Sequence, residues 1–160
     1  MPRKNSFSAD NQQERLKTAN WIVGFTDGEG CFTVSVFKNP TTKSGWQIFP
    51  EFVVTQGKKS LPALELMKQF FNCGIITINK RHDNHKEHLY RYCVRNLKDL
   101  EEVILPFFRK NSLRTAKERD FKIFAQVTEL MREQAHLKPS GFKKIVQMIS
   151  QMNRKKIRQL

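Results

Sequence analysis

Apolar positions along the chain change their period several times, and each change marks an element. From Asn11 to Asp27, residues Leu16, Ala19, Ile22, Val23 and Phe25 recur at helical spacing. Glycines 28 and 30 follow as a stop, so the pattern predicts a first helix over Asn11–Asp27. From Cys31 to Lys38 the period drops to two, with Phe32, Val34 and Val36 on one side and Thr33, Ser35 and Phe37 on the other, as in a half-buried strand. After the turn-rich KNPTTKSG, a second run from Trp46 to Thr55 sets Trp46, Ile48, Phe52 and Val54 against Gln47, Phe49, Glu51 and Val53. Pro50 inside it points to an edge or bulged strand. The two runs form a predicted hairpin.

Ser60 suits the N-cap of a helix to about Phe71, which NCG closes at Gly74. IITINKR and HLYRYCVR then read as a second hairpin around the polar turn HDNHKE, whose histidines fit an exposed turn. Asn96, with Asp99 three positions on, opens the helix LKDLEEVIL, which Pro106 is expected to end. Thr115 and Glu118 have capping-box spacing ahead of Phe121, Phe124, Val127 and Met131, which predict a long amphipathic helix to about Gln134. KPSG breaks the chain, and Phe142, Ile145, Val146 and Ile149 mark a last helix.

The order α-β-β-α-β-β-α-α-α belongs to the α+β class. An antiparallel sheet covered by helices on one face and open on the other is expected. At 160 residues the chain suits one domain, with a core of about 11–150 and a basic tail at 151–160. The open face would carry Thr33, Ser35, Phe37, Lys38 and Asn39 from the first strand and its turn, then Gln47, Phe49 and Glu51 from the second. The other hairpin adds Thr77, Asn79, Arg81, Arg91, Cys93 and Arg95. Most are hydrogen-bonding side chains suited to base edges and phosphates, and a twisted β-ribbon fits a DNA major groove. Glu51 there either accepts from a cytosine or pairs with Arg91 or Arg95.

Charge strengthens this reading, because 29 Lys and Arg against 15 Asp and Glu leave a net +14, the footprint of a polyanion binder. The cysteines, three in number and without CxxC spacing, argue against a disulfide framework or zinc site and for a reducing compartment. No apolar run approaches the ~18 residues of a membrane span, and the N-terminus lacks the apolar core of a secretory signal. An intracellular setting, bacterial cytoplasm or organelle, with no membrane partner is expected.

The stretch GFTDGEG, Gly24 to Gly30, sets Asp27 and Glu29 among glycines where the first helix should end. A helix C-terminus exposes carbonyls and about half a negative charge, which carboxylates make worse. Sharing a divalent cation would relieve the conflict, since carboxylate and carbonyl oxygens are the donors Mg²⁺ prefers. One chain supplies too few donors; a second copy across a two-fold axis, with a phosphate and water, would complete them for metal-assisted phosphodiester hydrolysis. The plain alternative is a solvated acidic turn.

IVGFTDGEG, Ile22 to Gly30, resembles the signature of the LAGLIDADG homing endonucleases. VTQ at 54–56, VRNLKDLEEVILPFF at 94–108, LRTAKERDFKIF at 113–124 and HLKPSGFKKIVQM at 136–148 resemble later segments of that domain, in order. The resemblance implies an αββαββα core whose saddle-shaped sheet sits on the DNA major groove, with motif helices paired at a two-fold seam through Trp21, Val23 and Gly24. It implies Glu29 as the metal-binding catalytic carboxylate, the Gly28 carbonyl as a further metal ligand, and Gln56 as a polar residue holding metal or water. Lys117 matches the basic residue near the attacking water, with Arg114 or Lys110 as alternatives, and Asp27 supports the helix end. With one signature only, the chain is expected to act as a homodimer on a long pseudo-palindromic DNA site. Mg²⁺ is the implied cofactor, with Ca²⁺ or Mn²⁺ substituting in binding or in vitro. The alternative on this scaffold is a maturase acting on group I intron RNA, or a DNA-binding protein that does not cut.

Overall fold

The computed structural model describes residues 6–80 and 87–152. Arg81, His82 and His85 of the second hairpin turn and most of the basic tail therefore lie outside the described residues. The chain begins with α1 (Ser6–Glu29), β1 (Gly30–Lys38) and β2 (Trp46–Gly57), followed by a short 3₁₀ turn (Lys58–Ser60) and α2 (Leu61–Phe71). Strands β3 (Ile75–Asn79) and β4 (Leu89–Val94) follow, then α3 (Leu97–Asp99), a π turn (Leu100–Ile104) and α4 (Leu105–Lys110). Helix α5 (Lys117–Arg132), a 3₁₀ turn (Ala135–Leu137) and α6 (Pro139–Ile149) complete it. Among the described residues no helix is long and apolar enough to cross a membrane.

The strands form one antiparallel sheet in the order β1-β2-β4-β3. Alternation drives it as expected. Phe32, Val34, Ile48, Phe52, Val54, Tyr92 and Val94 all point into one cluster, joined by Leu64 and Met67 of α2, Phe108 of α4 and Phe121 and Phe124 of α5. Phe32 is the hub, its ring 5.0 to 5.3 Å from those of Phe52, Phe108, Phe121 and Phe124. Quadrupolar rings favour such tilted and edge-on contacts, so the phenylalanines lock the helices onto the sheet at defined angles. Pro50 lies in the half of β2 that pairs only with β1, where a missing N–H is tolerated.

Several boundaries differ from expectation, each for a physical reason. Helix α1 does not stop at Asp27 but runs through Gly28 to Glu29. Pro106 does not end its helix: the π turn at Leu100–Ile104 lies just before it, and the helical path continues to Lys110. A proline ring crowds the carbonyl four residues back, and the wider turn makes room for it. Asn96 caps as predicted, accepting from the Asp99 N–H at 3.2 Å, whereas Ser60 makes no side-chain cap.

Gly30 carries the junction between α1 and β1. A Cβ there would lie 2.6 Å from Cγ2 and 2.9 Å from the carbonyl oxygen of the fully buried Thr26. The chain can fold back onto its own helix only without a side chain at this point. Gly30→Ala should therefore lower stability by about 1–3 kcal/mol, read as a fall in melting temperature; an unchanged melting temperature would show that the junction relaxes freely.

Candidate functional site

The last turn of α1 is bound to the loop before α5. Asp27 Oδ2 accepts from the Arg114 N–H at 2.8 Å, while Oδ1 accepts from the Thr115 N–H at 3.1 Å and the Thr115 hydroxyl at 2.8 Å. From the other direction, Lys117 Nζ donates to the carbonyl oxygens of Asp27 at 2.7 Å and Gly28 at 2.9 Å. The orphan carbonyls and negative dipole of the helix end are thus met by an ammonium. Partial burial pushes the Asp27 carboxyl up, but the hydrogen bonds from Arg114 and Thr115 and the charge of Lys117 outweigh it and hold the group below its ordinary value.

This changes the expected capping box. Thr115 Oγ1 accepts from the Lys117 N–H at 3.3 Å, but Glu118 reaches the Leu113 N–H at 3.1 Å, because Asp27 already takes the Thr115 N–H. It also changes the electrostatic premise: in the single chain, the Lys117 ammonium already meets carbonyls of the acidic helix end. Nothing in local spacing pointed to this tie, since its partners are 87 to 90 residues apart.

Glu29 is exposed at the last position of α1. Gln56, partly exposed, lies near the end of β2, two positions past Val54, the residue that pairs with Gly30. Lys110 and Arg114, the alternative basic residues, line a cleft beside α1 with Val23, Gly24 and Asp27. Of the expected donors, the Glu29 carboxylate is exposed, whereas the Gly28 carbonyl already accepts from Lys117; both are hard oxygens of the kind that suits Mg²⁺ or Ca²⁺. Among the described residues no group of three or more His, Cys, Asp or Glu could hold an ion.

The outward side of α1 is bare. A Cβ at Gly24 or Gly28 would meet nothing within 4 Å, while Trp21, 38% exposed, stacks on Phe25 at 4.9 Å. Leu16, nearer the N-terminus of α1, is 60% exposed although its spacing matches that of the apolar positions.

On the open sheet face, Glu51 receives both Arg91 Nη2, at 2.8 Å from Oε1, and Arg95 Nε, on Oε2. Of the alternatives open for Glu51, pairing is the one the structure displays. Cys93, expected among the surface contacts, is only 1% exposed; Arg95 Nη2 lies 3.8 Å from its Sγ, and burial pushes its thiol up. Asn39 Nδ2 donates to Gln47 Oε1 at 2.7 Å, and Thr33 Oγ1 donates to the Glu51 carbonyl at 3.4 Å. Phe37, 43% exposed, leans on Phe49 at 6.3 Å, and Lys38 lies over Trp46 at 5.7 Å. Ser35 stands opposite Phe49, Thr77 opposite Arg91, and Asn79 is exposed at the end of β3.

Residues 22–128 match the family model described as LAGLIDADG endonuclease. The chain belongs to that family. Among curated LAGLIDADG relatives, the "Probable intron-encoded endonuclease 2" of Neurospora crassa is 34% identical over 136 residues, covering 84% of this chain and 29% of its own length. The crystal structure of the homing endonuclease I-TnaI, 37% identical, superposes with a TM-score of 0.77 over 87% of this chain and 90% of that one. The structure of I-SmaMI bound to uncleaved DNA target in the presence of calcium ions, 40% identical, gives a TM-score of 0.76 over 84% of this chain and 44% of that one. The chain therefore spans under a third of the curated relative's length and under half of I-SmaMI's. Those neighbours carry the same LAGLIDADG fold: a four-stranded open sheet with helices against it.

Asp27→Asn tests the tie within this LAGLIDADG site. It keeps the shape but turns an N–H donor toward one of the backbone N–H groups, so a loss of about 1–2 kcal/mol is expected at neutral pH. Because the native carboxyl titrates below its ordinary 3.8, its contribution is complete above that pH and lost as pH falls through the lowered value. Acid-denaturation curves of the two proteins should converge at low pH; a gap of constant size would mean that charge at Asp27 contributes nothing.

Proposed function

We propose that the protein is a site-specific double-strand DNA endonuclease that hydrolyses phosphodiester bonds with a divalent metal, Mg²⁺ in the cell, as a homodimer on a long pseudo-palindromic site. The observation that carries this reading is Glu29, exposed at the end of a family-signature helix whose outward glycines leave room for a second helix. The relative named an endonuclease and the I-SmaMI complex with DNA and calcium support it. The likeness to the homing endonuclease I-TnaI supports it too.

When bound, the metal would polarise the scissile phosphate and lower the pKa of a bound water. Glu29 would hold it from each chain, with the Gly28 carbonyl, which Lys117 also contacts, as a further ligand, so that pairing two α1 helices would bring two half-sites together. Gln56, near the end of β2, orients the metal or its water. Lys117, held against the Asp27 and Gly28 carbonyls, places a fixed positive charge where negative charge develops on the phosphate. The surplus of basic side chains supplies the phosphate contacts, and affinity falls steeply with salt. Of the two expected settings, the intron-encoded relative from a fungus favours an organelle.

Cleavage of a plasmid library with and without Mg²⁺ tests the proposal. The native protein should cut at defined sites only with metal, and Glu29→Gln should cut at least about a hundredfold more slowly while binding the same DNA. Wild-type cutting by Glu29→Gln, or no metal-dependent cutting by the native protein, would refute it.

A further inference from the structure

Glu51 is out of place electrostatically. It sits mid-strand on the open sheet face, opposite Thr33, in a chain of net charge +14, and its carboxylate faces the side on which DNA phosphates would gather. A surface built only to hold phosphate would avoid a carboxylate there, since like charges oppose binding. Its side chain is 9% exposed, and each carboxylate oxygen takes one arginine, Arg91 on Oε1 and Arg95 on Oε2.

The geometry of those contacts leaves donors over. Arg91 pairs through Nη2 alone and Arg95 through Nε alone, so neither guanidinium spends a two-pronged edge on the carboxylate. Both remain reachable, with side chains 30% and 37% exposed. Arg95 is fixed further, lying over the Phe49 ring at 5.8 Å with Nη2 at 3.8 Å from Cys93 Sγ. An arginine free on an open face samples many rotamers; one held by a buried carboxylate has lost that freedom before a ligand arrives. Guanine offers O6 and N7 together in the major groove, the pattern a pre-set arginine fork fits. Two forks bridged by one carboxylate lie close enough to address neighbouring base pairs, about 3.4 Å apart.

We infer that Glu51 is a positioning residue for sequence readout: it aims Arg91 and Arg95 at guanine edges and so sets the base preference at two nearby positions of the target. The inference rests on the DNA-binding part of the proposed function, not on cleavage. Glu51 itself touches no base.

Selection of bound duplexes from a randomised pool in Ca²⁺, run on the native protein, Arg91→Ala, Arg95→Ala and Glu51→Gln, separates the possibilities without needing turnover. Each arginine variant should lose a guanine preference of roughly tenfold or more at its own position. Glu51→Gln should flatten those same two positions at least about threefold and leave the others intact, with non-specific affinity unchanged or higher because a negative charge has gone. Glu51→Asp, which keeps the charge, should recover part of the preference. Should Glu51→Gln fail to fold, Glu51→Asp with a native-like melting temperature must still weaken those two positions alone. Uniform loss of affinity at all positions, or full retention of both guanine preferences, overturns the inference. A native protein that selects a sequence but never cuts it refutes the nuclease reading and leaves this one standing.

Discussion

The end of α1 is where the fold and the candidate chemistry depend on each other, and the reciprocal clasp with the α5 loop decides both. One carboxylate takes the N–H groups of Arg114 and Thr115, while Lys117 returns an ammonium to the carbonyls behind it. The two halves satisfy different needs: Asp27 fills the donors of a loop that would otherwise lack partners, and Lys117 fills the acceptors of a finished helix. Because α5 carries Phe121 and Phe124 into the ring cluster around Phe32, the clasp transmits the position of the core to the helix end. Glu29 is therefore held by packing several residues away, although it is itself exposed.

The glycines of GFTDGEG have opposite reasons. Gly24 and Gly28 have empty space where a side chain would stand, so their value lies in what can approach from outside. Gly30 faces inward against Thr26, so its value lies in what is already there. The same residue type thus leaves open space on one side and lets the chain reverse onto the sheet on the other. The cost of this packing is visible in Thr26, whose buried hydroxyl finds no partner.

How far the sequence could be read follows from the range of the forces involved. Period-two runs such as Phe32, Val34 and Val36 report burial on one sheet face directly, and both hairpins with their open face follow from them. The signature was legible because Glu29 and the glycines lie together in the chain. What escaped was set by distant partners. The role of Thr115 looked like capping because spacing reveals possible partners but not competition from Asp27. Cys93 has the parity of an open-face residue, yet the long arginines beside it close over the thiol. Pro106 signals a helix end only when the preceding turn is an ordinary α turn, and here it is not.

The clasp also separates two things that an acidic helix end seems to join. If the carboxylates of GFTDGEG could exist only with a divalent cation, folding would require metal, as in domains whose ligands have no other partner. Here the carbonyls of Asp27 and Gly28 already hold an ammonium and the Asp27 carboxylate already holds loop donors, so the end of α1 is satisfied in the chain alone. What remains unsatisfied is Glu29, which is exposed and costs little in water. Demand for a cation then arises only when further negative charge comes up against it, such as a second Glu29 or a phosphate. On the proposed reading, the site would take up a cation only on assembly with DNA and a second chain, so that its chemistry would belong to the complex rather than to the fold.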